Sequence, residues 1–410
     1  MPASTPFASS LTQRVVQNGL CAGCGLCQAV AAPGVIEMRM SAAGYLRPVQ
    51  QAALSTVQEH VLADTCPGAR VEHPPASTVA HHSLWGPLVR VRAGHALDPE
   101  IRRQGSSGGC ISAIAAWLLA SEQVDFVAQI AVSTEDPLRN ELQVSTSRAD
   151  VLAAAGSRYA PSAPLAGLRE LLARGQRFAF VGKPCDVAAL RRYAMHDARV
   201  DQQVVVMISF MCAGIPSLHG THELLAKLGA DRSQLMTFRY RGDGWPGMAK
   251  AVHRDGQVFE TDYNSSWGSV LNKHLQFRCK ICPDGTGEFA DIVCADAWYG
   301  KDGYPDFTEQ DGRSLLLSRS ARGESLLARA MQAGVLAAQT LPVDDIARMQ
   351  PYQVNRKQLV LGRLIATWLA RRQAPRYWRM GLIKTALQAN KLEWLRNAWG
   401  TWRRAKGEAL

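Results

Sequence analysis

Cys21, Cys24 and Cys27 stand at C-x2-C-x2-C spacing, and Cys66, followed by Pro67, offers a fourth thiol from a distance. No other feature restricts this chain as strongly. Three thiolates so spaced wrap one face of a cubane iron-sulfur cluster, and a remote Cys-Pro closes the cage. The small residues Ala22, Gly23 and Gly25 let backbone amides approach the inorganic sulfides. A structural zinc prefers two C-x2-C pairs, which this pattern does not offer. The spacing therefore predicts a [4Fe-4S] cluster in a module of residues 1–80, which runs out at Pro74, Pro75 and the His81-His82 pair.

The other cysteines extend the argument. There are ten in 410 residues. Met1 to Leu20 lacks the charged start, apolar block and small-residue cleavage site of a secretory signal, so the expected compartment is the cytoplasm. Thiols there are kept reduced, and metal binding becomes the leading explanation for them. A composition of 47% hydrophobic and 20% charged residues is that of a globular chain. Its apolar runs, such as Val204 to Ile215, fall short of the roughly 20 residues that span a bilayer. The net charge of +11 would suggest nucleic acid, but it is local: residues 352–410 hold 13 Lys and Arg against 2 Asp and Glu, and the remainder is neutral. No specific nucleic acid is expected.

Beyond the first module the punctuation gives three regions: 81–165, 166–345 and a basic helical tail, 346–410. Strand candidates at 88–93, 178–182, 204–210 and 291–295 alternate with helix candidates at 111–120, 186–194 and 217–229. That alternation predicts an α/β body with a largely parallel or mixed sheet. Cys185 and Cys212 each follow a strand and precede a helix, at the sheet edge where cofactors collect. Cys279 and Cys282, followed by Pro283, form a clip that could complete a second cluster. Spacing alone leaves a rival reading open, in which Cys185 and Cys212 are small buried apolar residues and the clip binds zinc. Cys110 and Cys294 read as core.

Gln104-Gly-Ser-Ser-Gly-Gly109 opens the helix near Cys110, so its amides and hydroxyls are expected to face outward and receive a phosphate. The same run would serve as an ordinary Ser-capped turn. Single-electron clusters need a carrier that handles electron pairs, and a dinucleotide flavin would supply both the redox ring and the phosphates.

Taken together, Ser106 to Gly109, Gly156-Ser-Arg-Tyr159, Gly182-Lys-Pro-Cys-Asp186, Cys212-Ala-Gly-Ile-Pro216, Tyr240-Arg-Gly-Asp-Gly-Trp-Pro-Gly247, Cys279-x2-Cys-Pro-Asp284 and Ala290-Asp-Ile-x2-Ala-Asp-Ala-Trp298 resemble the family of coenzyme F420 hydrogenase/dehydrogenase beta subunits. The likeness runs over residues 15 to 345. It implies FAD, [4Fe-4S] clusters, and hydride or electron exchange with a ring-type acceptor. Carried over, it makes Cys185, Cys212, Cys279 and Cys282 ligands of a flavin-proximal cluster. It brings Ser106, Ser107, Gly108, Gly109, Ser157, Tyr159, Lys183 and Asp296 to FAD. Two positions depart from the usual pattern: Ala295 stands before Asp296 where Gly is usual, and Cys110 stands where an aliphatic residue is usual.

The expected function is thus an iron-sulfur flavoprotein oxidoreductase. Electrons pass from ferredoxin or another donor protein through two [4Fe-4S] clusters to FAD and on to a small organic acceptor, or the reverse. No catalytic residue is assigned, because a lone histidine such as His95, His219 or His222 is more often structural than acidic. Two rivals remain: a non-catalytic electron-transfer subunit of a larger complex, and a zinc-stabilised anion-binding protein. In the tail, Leu359, Leu361, Leu364, Ile365, Trp368 and Leu369 recur at helical spacing among basic residues, as do Trp394, Leu395, Trp399 and Trp402. This suits packing on the body or on a partner subunit, or peripheral binding to an anionic membrane at its inner face.

Overall fold

The structure is a computed structural model, and it describes residues 10–75, 79–301 and 304–407. At its centre is a mixed sheet of eight strands: β1 (Arg90–Ala96), β2 (Phe126–Val132), β3 (Asn140–Ser145), β4 (Phe178–Val181), β5 (Val204–Phe210), β6 (Ile292–Asp296), β7 (Ser314–Ser318) and β8 (Leu336–Thr340). Their order across the sheet is β8-β1-β7-β6-β5-β4-β2-β3. The inner strands β2, β4, β5 and β6 run parallel, and both flanks are antiparallel.

The apolar runs of β4 and β5 follow from burial on both faces, as parallel strands require. Within them side chains still alternate. Phe178, Phe180, Val204 and Met207 join one core, while Ala179, Val181, Val206 and Ile208 join another with Cys110 and Cys294. β1 lies between β7 and β8, so residues from both halves of the body share one sheet. The strand and helix expectations match within a few residues; the helix after the Gly-rich run, for instance, is Cys110–Ala120.

A third core joins the two ends of the chain. Val15, Leu20 and Leu62 pack with Val360, Leu364 and Leu382, and Arg376–Trp378 pairs in parallel with Arg70–Glu72. The tail forms two long helices, Pro351–Arg371 and Lys391–Gly407. They cross at Gly362, where a Cβ would come within 2.7 Å of the Trp394 ring. The apolar positions divide accordingly. Leu359 and Leu364 are buried, whereas Ile365, Trp368, Leu369, Leu395 and Trp399 are exposed. Among the described residues no helix is long and apolar enough to cross a membrane.

Candidate functional site

Cys21, Cys24 and Cys27 lie on a tight loop entering a short helix, Leu26–Val30. Gly25 there has φ 87°, and any Cβ would meet Ala166 N at 2.6 Å, so only glycine fits. Cys66 joins them from the C-terminal end of the Thr56–Thr65 helix. Burial, together with the charge of Cys21, pushes Cys66 up to about 11. Cys24 and Cys27 are raised further by burial and by their neighbouring thiolates. The Gly23 amide points at Cys21 Sγ at 3.4 Å.

The second group forms at the carboxyl edge of the parallel strands. Cys185 opens the Pro184–Tyr193 helix after β4, Cys212 follows β5, Cys279 lies in the short Phe277–Lys280 helix and Cys282 just beyond it. Burial and repulsion from Cys279 push Cys212 up to about 12, and Cys185 is raised by burial with Asp186, Cys212 and Cys279 nearby. Ile215 N and Gln276 Nε2 donate to Cys279 Sγ at 3.4 and 3.3 Å.

Thiols crowded in this way, without a counter-charge for each, are stable as thiolates only where a metal takes up the charge.

The two groups touch through a few side chains. Gln276 Nε2 lies 3.5 Å from Ala22 O as well as 3.3 Å from Cys279 Sγ. The buried Arg278 donates to Pro67 O at 2.8 Å, and its charge acts on both Cys66 and Cys282. Lys183, expected at the flavin, is enclosed here beside Cys24 and Cys185. It is paired with Asp186 at 2.8 Å and donates to Ser162 Oγ at 2.9 Å.

The Gly-rich run borders the same edge. Its outward-facing character holds only in part, because two of its groups are used internally. Ser107 Oγ donates to Arg313 O (2.9 Å), and the Gly108 amide donates to Ser314 Oγ (2.9 Å). Gly108 is packed so closely on β1 and β7 that a Cβ would meet Ser314 N at 2.7 Å. Ser106 Oγ differs: it is buried and has no hydrogen-bond partner. Arg241 ties the run to Asp296, donating to Ser106 O at 2.6 Å and to both carboxylate oxygens at 3.0 Å. Trp245 Nε1 completes the carboxylate at 2.7 Å. Trp245 stacks on Trp298 (4.7 Å), and the Arg241 guanidinium lies over Tyr263 at 4.7 Å and donates to Tyr159 Oη at 3.3 Å. Gly156, next to Ser157, abuts Arg239 and Arg241 O.

Of the two family models for coenzyme F420 hydrogenase/dehydrogenase, the one for the N-terminal part of the beta chain matches residues 91–169, and the one for its C-terminal part matches 175–344. The chain belongs to the family of coenzyme F420 hydrogenase/dehydrogenase beta subunits. Its relatives in this family are oxidoreductase subunits. The beta subunit of coenzyme F420 hydrogenase from Methanococcus voltae is 28% identical over 289 residues, covering 65% of this chain and 92% of that one. The F(420)H(2) dehydrogenase of Methanosarcina mazei has a subunit that is 24% identical over 282 residues, covering 68% and 75%. A chain of the F420-reducing [NiFe] hydrogenase complex from Methanosarcina barkeri has the same fold, with TM-score 0.56 at 18% identity over 72% of this chain and 98% of that one.

Cys21, Cys24, Cys27, Cys66 and the tail helices lie outside both family matches. Several residues that frame the site escaped the sequence reading. Arg241 and Trp245 sit inside a run that carried the family likeness, yet nothing in their spacing indicated that they would clasp Asp296. Arg278 adjoins Cys279 and could have been noticed. Arg356 could not. It donates to Cys212 O at 3.0 Å and also to Ala213 O, but in the sequence it is one of many cations in the tail.

Proposed function

We propose that this member of the family is an iron-sulfur flavoprotein that exchanges electrons between a donor protein, such as a ferredoxin, and a small organic acceptor. In this reading Cys21, Cys24, Cys27 and Cys66 hold one [4Fe-4S] cluster, and Cys185, Cys212, Cys279 and Cys282 hold a second. The observation that carries it is the contact of the two cysteine groups through Gln276 and Arg278. When bound, the clusters would supply one-electron relay and FAD would supply storage of electron pairs. The chain's own residues would divide the remaining work. Ser106 Oγ, lacking a partner, would accept or donate to the dinucleotide, with Gly109, Ser157 and Tyr159 along its path. Arg241 would keep Asp296 oriented, and the Trp245–Trp298 stack would exclude water from the ring. Ser107 and Gly108 would shape the loop from within, and Lys183 would balance the charge between the two clusters.

Relatives named as hydrogenase and dehydrogenase subunits make a reduced deazaflavin the first acceptor or donor to try. The hydrogenase complex that contains the similar fold makes a partner protein, before a membrane, the first occupant to try for the exposed tail residues Trp368, Leu395 and Trp399, which are 51%, 59% and 60% exposed. Anaerobically purified protein should contain about eight irons and eight sulfides per chain, release FAD on denaturation, and be oxidised or reduced by coenzyme F420. A colourless preparation with zinc and no iron would overturn the reading. Ser106→Ala should weaken FAD retention without lowering the melting temperature, whereas Ser107→Ala should lower the melting temperature. Salt-sensitive sedimentation with anionic vesicles would move the tail's role to a membrane.

A further inference from the structure

Neither the cysteine groups nor the flavin region uses Glu288, although it is among the most enclosed carboxylates of the protein. Two histidines from different segments converge on it. His73 Nε2 lies 2.8 Å from Glu288 Oε2, and His81 Nε2 lies 3.8 Å from the same oxygen. All three ligand atoms fall within 4.8 Å of one another, and the imidazoles meet edge to face with centroids 4.9 Å apart. A tetrahedral ion with bonds of about 2.0–2.2 Å sets its ligand atoms roughly 3.3–3.5 Å apart. The two distances straddle that value.

The surroundings fix each donor. The His73 ring lies flat against Phe289, with centroids 4.3 Å apart and planes 9° from parallel. Lys357 Nζ holds Glu288 Oε1, leaving Oε2 to face the imidazoles. The backbone amide of Glu288 is tied to Asp284 Oδ1 at 2.9 Å. Opposite the carboxylate stands Gly86, where a Cβ would come within 2.5 Å of Glu288 Cγ, so this niche admits the glutamate only beside glycine. Exposure is graded: the side chain of Glu288 is 0% exposed, His73 8% and His81 28%, which opens one side to solvent. Burial favours the neutral, lone-pair form of His81. Burial also pushes Glu288 up, but Lys357 and His73 outweigh it and keep the carboxylate ionised.

We propose that His73, His81 and Glu288 form a mononuclear site for a divalent transition ion of the zinc class, with one position left to solvent on the His81 side. Two imidazoles and a carboxylate suit such a borderline cation, whereas calcium and magnesium prefer all-oxygen sets. The ion takes the place of the hydrogen between His73 Nε2 and Glu288 Oε2, which passes to Nδ1 as the neutral ring changes tautomer. Acid competes with the ion for the imidazole lone pairs, so binding weakens as pH falls. Such an ion joins the end of the N-terminal module, the following linker, and the segment after Cys282. Lys357 adds the tail, so the ion anchors the loop that carries two of the second group's cysteines.

The test uses the full chain, with iron already reconstituted, stripped of adventitious zinc by a chelator and given one equivalent of Zn2+. About one zinc per chain should remain after desalting. Its X-ray absorption fine structure should contain only nitrogen and oxygen neighbours at about 2.0–2.1 Å. His81→Gln should weaken zinc binding at least tenfold, the lower end of what loss of even an orienting partner causes, while iron content stays constant. Sulfur neighbours at about 2.3 Å would assign the zinc to the cysteines and overturn the proposal. So would an absence of binding at micromolar zinc, or equal affinity in His81→Gln. The spectrum of the unaltered chain is decisive even where a variant fails to fold.

Discussion

The two cysteine groups contrast in how they are built. Cys21, Cys24 and Cys27 are assembled by one short loop whose glycines allow it to curl, and only Cys66 is imported. Cys185 comes from the connection after β4, and Cys212, Cys279 and Cys282 from distant points of the long connection between β5 and β6, and side chains from the C-terminal tail hold one of them in place. Gln353 and Arg356 donate to Cys212 O at 3.3 and 3.0 Å, and Gly285 O accepts from Cys212 N at 2.8 Å. The lesson is that a cysteine group can be local in one half of a protein and wholly tertiary in the other. The second kind inherits the stability of everything that converges on it.

The largest effect should come from deleting residues 352–410. That removes Val360, Leu364 and Leu382 from the core shared with Val15, Leu20 and Leu62, so the truncated chain is expected to aggregate or lose cooperative unfolding by circular dichroism. A soluble truncation keeping all its iron would break the contrast, since the second group would then be independent of the tail. Next is Lys357→Met, which leaves the buried Glu288 carboxylate short of a partner. A loss of about 3–5 kcal/mol is expected in denaturant melts, with much of it recovered by adding Glu288→Gln. Arg356→Gln is smaller, about 1.5–3 kcal/mol for charged hydrogen bonds to the carbonyls of Cys212 and Ala213. Its iron loss should stop at about half, because the first group does not depend on it. Loss of iron from both groups at once would show that they are less separate than their construction suggests.

A separate effect should appear on acidification. Against the pull of burial, Lys357 and His73 hold Glu288 at about 2, below its ordinary 4.5. A depressed carboxylate stabilises the fold fully above the unfolded value and loses that contribution as pH falls through the folded one. The melting temperature should therefore decline between about pH 4.5 and pH 2 more steeply in the unaltered chain than in Lys357→Met combined with Glu288→Gln. Equal slopes would remove Glu288 from the acid response.

Much of this was legible in the sequence. The first cysteine group, the apolar strands β4 and β5, the helix after the Gly-rich run and the family membership all rest on short-range signals: spacing, periodicity and ordered motifs. What failed to read out was direction. Ser106 and Ser107 are adjacent and chemically alike, yet one hydroxyl is unpartnered and the other is bonded to Arg313 O, because the packing of β1 and β7 beneath the loop fixes which side faces in. The tail's charge misled for a similar reason. Counted together, its cations form a basic surface, but Arg356 and Lys357 are buried against carbonyls and Glu288. By itself, then, the sequence determined which chemistry the chain can carry, since thiols, glycines and apolar periodicity act over a few residues. Only the tertiary structure decided which groups meet, because contacts such as Lys357 with Glu288 or Arg241 with Asp296 join positions tens of residues apart, and their pairing is set by strand order rather than by spacing.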